Sequence, residues 1–507
     1  MSLSGARVAA VTMVTIALAA CGGPKIATNG PAHVALAEAD GLSGAPRAPA
    51  RQRPPPPAEI EPPPFPPVAR AKLGSGLGLA VVTSRALPIV QVRLVVRAGT
   101  SYGATPGVGD LVAGMIEDGG TRTMTSAELR RRVEALGADL SARSTLDALV
   151  VGMGLTRDGV DGGLAILSEV VREPRLDAEA LRRAKARAIE AAEQADRSSG
   201  AWAASYVLWR EISPDKSPYR YRALLPSQIA KLDGVRIREF HRSFFLPKNA
   251  ELVVVGDIDL ATAKDLAERH FAAWTGGEPP RVELAPAHAP EDMRIFVAHR
   301  PKSVRSEVYV GTLAPPRGAA EWPRVRVATQ VLGGAVASRL LTKMRGLADG
   351  TSAHIDELAH GEQRLVLHAG TETEKTIRAL TGLLEGLEEM RTSPPTAEET
   401  DAARRYLGDT LALGMETIGS FADMLVLQAS LGLPDGCWDS YRAELRATDA
   451  SAVGALAPKL FAGKPLVVVA GDADVIGPDL ARFGEVTIVD PDKQLAPIRT
   501  IPKSTPK

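Results

Sequence analysis

Two aliphatic runs in this chain end in the same dipeptide. Glu251-Leu252-Val253-Val254-Val255-Gly256-Asp257 and Pro465-Leu466-Val467-Val468-Val469-Ala470-Gly471-Asp472 place their Gly-Asp pairs 215 residues apart. Upstream, residues 92–100 are echoed by 307–312 at a closely similar offset. Each echo precedes a helical pattern, 107–118 in the first copy and 322–332 in the second. One such run means little. Two in the same order indicate a duplicated unit. A chain of 507 residues also exceeds one compact core. Two homologous halves are therefore expected, residues 71–285 and 286–490, with a polar tail at 491–507.

Strands and helices interleave within each copy. A strand-like run at 89–97 and a loop at 98–106 precede the 107–118 helix. Residues 126–136 fit a second helix, capped by Thr125 or Ser126, with Arg130, Arg131 and Arg132 on its wet side. Residues 138–156 read as two strands around Ser144-Thr145-Leu146-Asp147. Helical apolar spacing follows at Leu164, Ile166, Leu167, Val170 and Val171, and 177–196 is a long polar helix. In the second copy 373–391 is helical. Thr396-Ala397-Glu398-Glu399 has the character of a capping box opening a helix through 411. The mixture predicts an α+β fold, each half a mainly antiparallel sheet covered by helices on one face.

The N-terminus reads as an address. Arg7 and a short apolar stretch, 8–17, form a signal segment over residues 1–20, too short to span a bilayer. Leu18-Ala19-Ala20-Cys21 resembles a bacterial lipobox, which implies lipid on Cys21. Gly22, with no Asp at that position, favours the outer membrane, facing the periplasm. Residues 21–70 form a tether with thirteen prolines between 22 and 70, a composition that tends to polyproline II. Lys+Arg and Asp+Glu are 60 each, so charge gives no reason to expect a nucleic-acid partner. With Cys21 acylated, Cys437 is left without a disulfide partner and is expected to be a small buried residue.

The helix at 107–118 carries Asp110-Leu111-Val112-Ala113-Gly114. In that setting the chain resembles the pitrilysin/insulinase metallopeptidases, the inverted zincins, which carry H-x-x-E-H here. Asp215-Lys216-Ser217-Pro218-Tyr219-Arg220, the run from Phe240 through Pro247-Lys248-Asn249-Ala250, and Leu332-Gly333-Gly334 with Ser338-Arg339-Leu340 resemble further family segments. The resemblance covers about residues 72 to 490. It implies two homologous halves facing across a cavity for unfolded peptides, and zinc as the cofactor of active relatives. Here the positions of the first ligand, the general base and the second ligand read Asp110, Ala113 and Gly114. Alanine and glycine side chains offer neither ligand nor proton. Glu190 occupies the third-ligand place, with 75 residues between it and Gly114, but one carboxylate cannot hold zinc. Asp110, Glu117 and Glu190 could at most offer oxygens to a hard cation; solvated acidic side chains explain them more simply.

The histidines offer no replacement. His354 and His360 are six apart in a strand-like pattern, with Glu357 on the other face. His241, His270, His299 and His368 are scattered singly; His33 and His288 lie in Pro-rich stretches. The family's second half contributes an arginine that grips substrate. Arg345 matches that arginine, but no tyrosine follows it, and a charge at a helix C-terminus explains it equally well. The sequence thus points to a non-catalytic insulinase-like lipoprotein with no cofactor. It would bind unfolded peptide or partner an active homologue, and reach the membrane through lipid on Cys21. The alternatives are a zinc endopeptidase with an altered or shared site, and a purely structural envelope protein.

Overall fold

The computed structural model describes residues 63–504 apart from 104, 216, 282–286, 288, 289 and 494. The signal segment, Cys21 and the tether up to residue 62 lie outside the described residues, as do His33 and His288.

Two sheets organise the chain. In the first half β1 (Ala69–Lys72), β2 (Gly78–Thr83), β3 (Ile89–Val96), β4 (Ser141–Ser144), β5 (Leu149–Thr156) and β6 (Ala250–Gly256) lie in the order β1-β2-β6-β3-β5-β4. In the second, β7 (Arg294–His299), β8 (Arg305–Ala314), β9 (Gly350–Asp356), β10 (Gln363–Glu372), β11 (Leu466–Gly471), β12 (Val486–Asp490) and β13 (Ala496–Ile501) lie in the order β13-β12-β7-β11-β8-β10-β9. Five consecutive strands correspond one to one, β2-β6-β3-β5-β4 in the first sheet and β7-β11-β8-β10-β9 in the second, each run ending at an edge. The two Gly-Asp runs are β6 and β11, central in both, each with one parallel neighbour, β2 or β7. The remaining pairs of the first sheet are antiparallel. The duplicated α+β architecture is thus present. Two expectations change at its edges. Residues 496–501 are not tail but β13, paired with β12. The end of the tether is docked: Phe65 lies under the Arg442 guanidinium at 4.6 Å, and Arg442 donates to the Pro63 carbonyl (2.7 Å).

Helices α1 (Val108–Asp118), α2 (Ser126–Ala135), α3 (Val160–Arg172), α4 (Ala178–Ser198) and α5 (Gly200–Ile212) follow in the first half. Of the two cap candidates Thr125 caps α2, in a box with Glu128 that the sequence reading did not name, and the capping box at Thr396/Glu399 forms as its sequence suggests. Leu79, Val81, Val92, Leu94, Leu252 and Val254 pack against local helices, α1 and α3 among them.

The opposite faces are not bare. Ala80, Val82, Val95, Val253 and Val255 are covered by Phe421, Ala422, Leu425, Val426 and Ala429 of the helix Ile418–Ser430, which belongs to the second half. In exchange, Ala203, Ala204, Val207 and Leu208 of α5 cover Phe296, Ala298, Leu466, Val468 and Ala470 on the second sheet. Each half therefore lends one helix to the other. The one-sided covering predicted from sequence is only the local part of a two-sided one. This is why β6 and β11 are unbroken aliphatic runs: a strand buried on both faces has no polar alternation to show.

Candidate functional site

The loop after β3 is stitched to the β4–β5 turn. Thr100 N–H donates to the Thr145 carbonyl (2.7 Å) and Ser101 N–H to that of Leu146 (3.1 Å). Gly99 permits this approach, since a Cβ there would lie 2.1 Å from the Thr145 oxygen. The loop delivers α1 with Asp110 in its first turn. Asp110 opens onto a cavity of about 550 Å³ at the seam between the halves. Arg143, Ser144 and Asp147 of the first half line it, with Asp356, Glu357 and Asp423 of the second.

Asp110 is already engaged. The Thr100 hydroxyl donates to its carboxylate, and Ser144 Oγ lies 3.1 Å from Thr100 Oγ1. Asp110 is exposed on its cavity side, while the first turn of α1 and the Thr100 and Ser144 side chains crowd its carboxyl from behind. Burial of the carboxyl on that side raises its pKa, opposed by the two hydroxyls. One turn on, Ala113 is buried and carries no donor. Beside Gly114 lies Arg187 of α4. Its Nη2 donates to the Gly114 carbonyl (3.2 Å) and would stand 3.7 Å from a Cβ at position 114. Arg187 also pairs with Asp118 at 2.8 Å. Where the family pattern calls for a second imidazole, this chain places a guanidinium. Zinc needs three protein ligands and an open position. Asp110, Ala113, Gly114 and a cationic neighbour do not fit it.

Glu190 is exposed one turn beyond Arg187 and makes no hydrogen bond or ion pair among the described residues. The Asp110, Glu117 and Glu190 carboxylates do not converge: among the described residues, the one group of three close enough to share an ion is His299, Asp472 and Asp474. Its atoms are in use. Ala473 N–H donates to His299 Nδ1 (3.2 Å), which leaves the ring proton on Nε2. Asp472 accepts from Lys302 N (2.7 Å) and Asp474 N (3.1 Å), and Asp474 pairs with Arg499. The group caps the helix Ala473–Leu480.

His354 and His360 do not share a strand face, contrary to the sequence pattern. β9 ends at Asp356, and His360 turns across the seam to the Tyr102 hydroxyl (3.0 Å). Burial lowers the pKa of His354. Glu357 pairs with Arg317 and Arg326, both at 2.9 Å. Arg345 is exposed beyond the short helix Arg339–Lys343 and lines neither this cavity nor the one beside Glu357. Cys437 is half-buried, less than expected, with its thiol pKa raised by burial.

The other family-like segments have structural duties. Asn249 Nδ2 donates to the Phe244 carbonyl (2.9 Å). Arg339 grips Glu399 through two bonds of 2.7 Å. Tyr219 donates to buried Asp147 (2.5 Å), whose other oxygen accepts Ala359 N–H (2.9 Å) from the second half. Burial raises the pKa of Asp147. Arg187 and this cross-seam tie were missed from sequence. Arg187 was legible in part, because it lies three residues before Glu190 on one face of α4.

With this geometry in place, known proteins give the class. A model of the insulinase family (peptidase family M16) matches residues 80–205, and one of the peptidase M16 inactive domain matches 231–407. The crystal structure of a peptidase M16 inactive domain from Pseudomonas fluorescens superposes with a TM-score of 0.73 at 22% identity, covering 80% of this chain and 98% of that one. A protease from Helicobacter pylori gives 0.72 at 16% identity, over 80% and 100%. The first half of the periplasmic protease PqqL from Escherichia coli gives 0.65 at 15%, over 81% and 93%. The fold is that of the two-domain M16 peptidases. Among curated proteins, mitochondrial-processing peptidase subunit beta of Blastocladiella emersonii is 24% identical over 268 residues, 52% of this chain and 56% of that relative's length. This chain belongs to the insulinase family.

Proposed function

We propose that this chain is a catalytically silent member of its family that binds extended peptide at the seam cavity, alone or as the non-cleaving partner of an active homologue. The observation that carries the reading is Arg187 beside Gly114. A cation of the protein's own stands beside the second-ligand position, and the carboxylate at Asp110 accepts from the Thr100 hydroxyl. The cavity persists around them. β4, an edge strand of its sheet, borders it through Arg143 and Ser144. An extended peptide can add to such an edge through main-chain hydrogen bonds. The partner-subunit reading draws on the relative that is named as a subunit of a processing peptidase. Lipid on Cys21 and the proline-rich tether would hold the body at the outer membrane, facing the periplasm.

The test is made on the full chain. Bound metal, cleavage of an unfolded peptide with and without chelator, and binding of that peptide are measured together. Binding without cleavage or stoichiometric metal supports the reading. Chelator-sensitive turnover overturns it, and so does the absence of any peptide binding or co-purifying homologue.

A further inference from the structure

A second cavity of about 530 Å³ lies in the second half, next to the first; Glu357 and Leu427 line both. Its walls come from the helix Trp322–Thr329, the π-helical turn Gln330–Gly334 that continues it, β9, and the helices Ala397–Leu413, Ile418–Ser430 and Cys437–Ala447. π-turns interrupt a regular helix at a cost and recur at functional sites. Here the turn fits against β9 because Gly333 has no side chain: a Cβ there would stand 2.6 Å from Ala353 N.

Hydrogen-bond donors outnumber free acceptors in these walls. Both oxygens of Glu357 are taken, one by Arg317 and one by Arg326. The hydroxyls of Thr329 and Thr410 donate back to their own helices. Among the described residues, three N–H groups of these walls have no partner: the indole nitrogens of Trp322 and Trp438 and the carboxamide nitrogen of Gln330. Trp322 and Gln330 are 2% and 8% exposed. An unpaired buried donor is costly, so three in one cavity wall call for an acceptor. The charge agrees. Two guanidinium groups share one carboxylate, which leaves one positive charge over, and burial favours neutral His354. Arg317 is held in place, 4.9 Å above the Trp322 ring and 5.6 Å from that of Tyr441.

We propose that this cavity receives a carboxylate of the bound peptide, met by Arg317 and Arg326, with Gln330 and Trp438 turning their unpartnered, buried N–H groups toward it on binding. The inference rests on the peptide-binding reading and deepens it. A peptide lying at β4 runs past Leu427 and Glu357, and its acidic group enters here. The carboxylate is either the peptide's C-terminus or an Asp or Glu side chain.

The test uses the full chain and follows tryptophan fluorescence, since two of the five tryptophans line the cavity. One short unstructured peptide is titrated in four forms: free or amidated C-terminus, each with an interior Glu or Gln. A carboxylate-bearing form is expected to bind about tenfold or more tighter than the form without it, the value of a charge-assisted hydrogen bond or two. Which carboxylate carries the preference identifies the source. Trp438→Phe and Gln330→Leu should each cut the preference. Neither loses a protein hydrogen bond, because the N–H removed has no partner. Arg317→Lys, which keeps the charge and can still pair with Glu357, should cut it too. Equal binding of all four forms overturns the inference and leaves peptide binding standing. So does a preference that survives all three substitutions. If no form binds, the inference and the reading beneath it fail together.

Discussion

The duplicated helices after β3 and β8 have met different ends. At α1 the groups beside the metal position are engaged from within: Asp110 by Thr100, the Gly114 carbonyl by Arg187, and Arg187 in turn by Asp118. At Trp322–Gly334 the reverse holds, and indole and carboxamide donors stand without acceptors beside two arginines. A closed network is a structural fixture, whereas unmet donors mark a place where something else is expected. The contrast motivates both proposals: framework at the old metal position in the first half, recognition in the second.

The largest effect should come from breaking both places at once. The helix Ile418–Ser430 walls both cavities and covers the first sheet. Leu425, 2% exposed, anchors it. Leu425→Ala should cost about 2–5 kcal/mol in denaturant unfolding. Because the helix is lent across the seam, both halves should lose stability in one transition; separate transitions would contradict the exchange.

Next in size is the restored metal site. Asp110→His, Ala113→Glu and Gly114→His together should still bind zinc weakly while Arg187 remains. Adding Arg187→Leu should tighten zinc on the order of hundredfold, in line with other residues that surround a metal. Equal zinc affinity with and without Arg187 would show that its position is incidental.

Arg187→Ala in the parent chain should matter little, about 0–1 kcal/mol, since Arg187 is half-exposed. Asp110→Asn should be smaller still and depend on pH. Burial raises the folded pKa of Asp110 above its unfolded value. The folded state therefore holds the proton more tightly, and the parent's stability falls as pH rises through the folded pKa. Relative to the parent, the Asn variant should gain stability as pH rises from the ordinary carboxylate range, with a constant difference below it. Melting temperatures across that range read the sign; a gain on acidification would reverse it.

The sequence carried the repeat because strands buried on both faces must be continuous aliphatic runs. It did not carry what buries them. The amino acids of α5 and of Ile418–Ser430 specify apolar faces, not which half those faces will cover. Asp110, Ala113 and Gly114 announced the lost ligands, because alanine and glycine have nothing to offer a metal. Arg187 was legible only in its place three residues before Glu190, since a guanidinium on a polar, Arg-rich helix looks like any solvated charge until α4 is laid beside α1. His360 misled for a related reason: strand periodicity runs past Asp356 in sequence, while the backbone turns there to reach Tyr102. The tie from Asp147 to Tyr219 and Ala359 joins segments 72 and 212 residues apart, beyond the reach of any local pattern.

The central claim is that the family's metal position is closed in this chain by its own groups. Zinc content and peptide cleavage of the full chain, purified with zinc present and then dialysed, test it most directly. The expected result is far less than one zinc per chain and no chelator-sensitive cleavage. One tightly held zinc per chain, lost together with peptide hydrolysis on chelation, would contradict it.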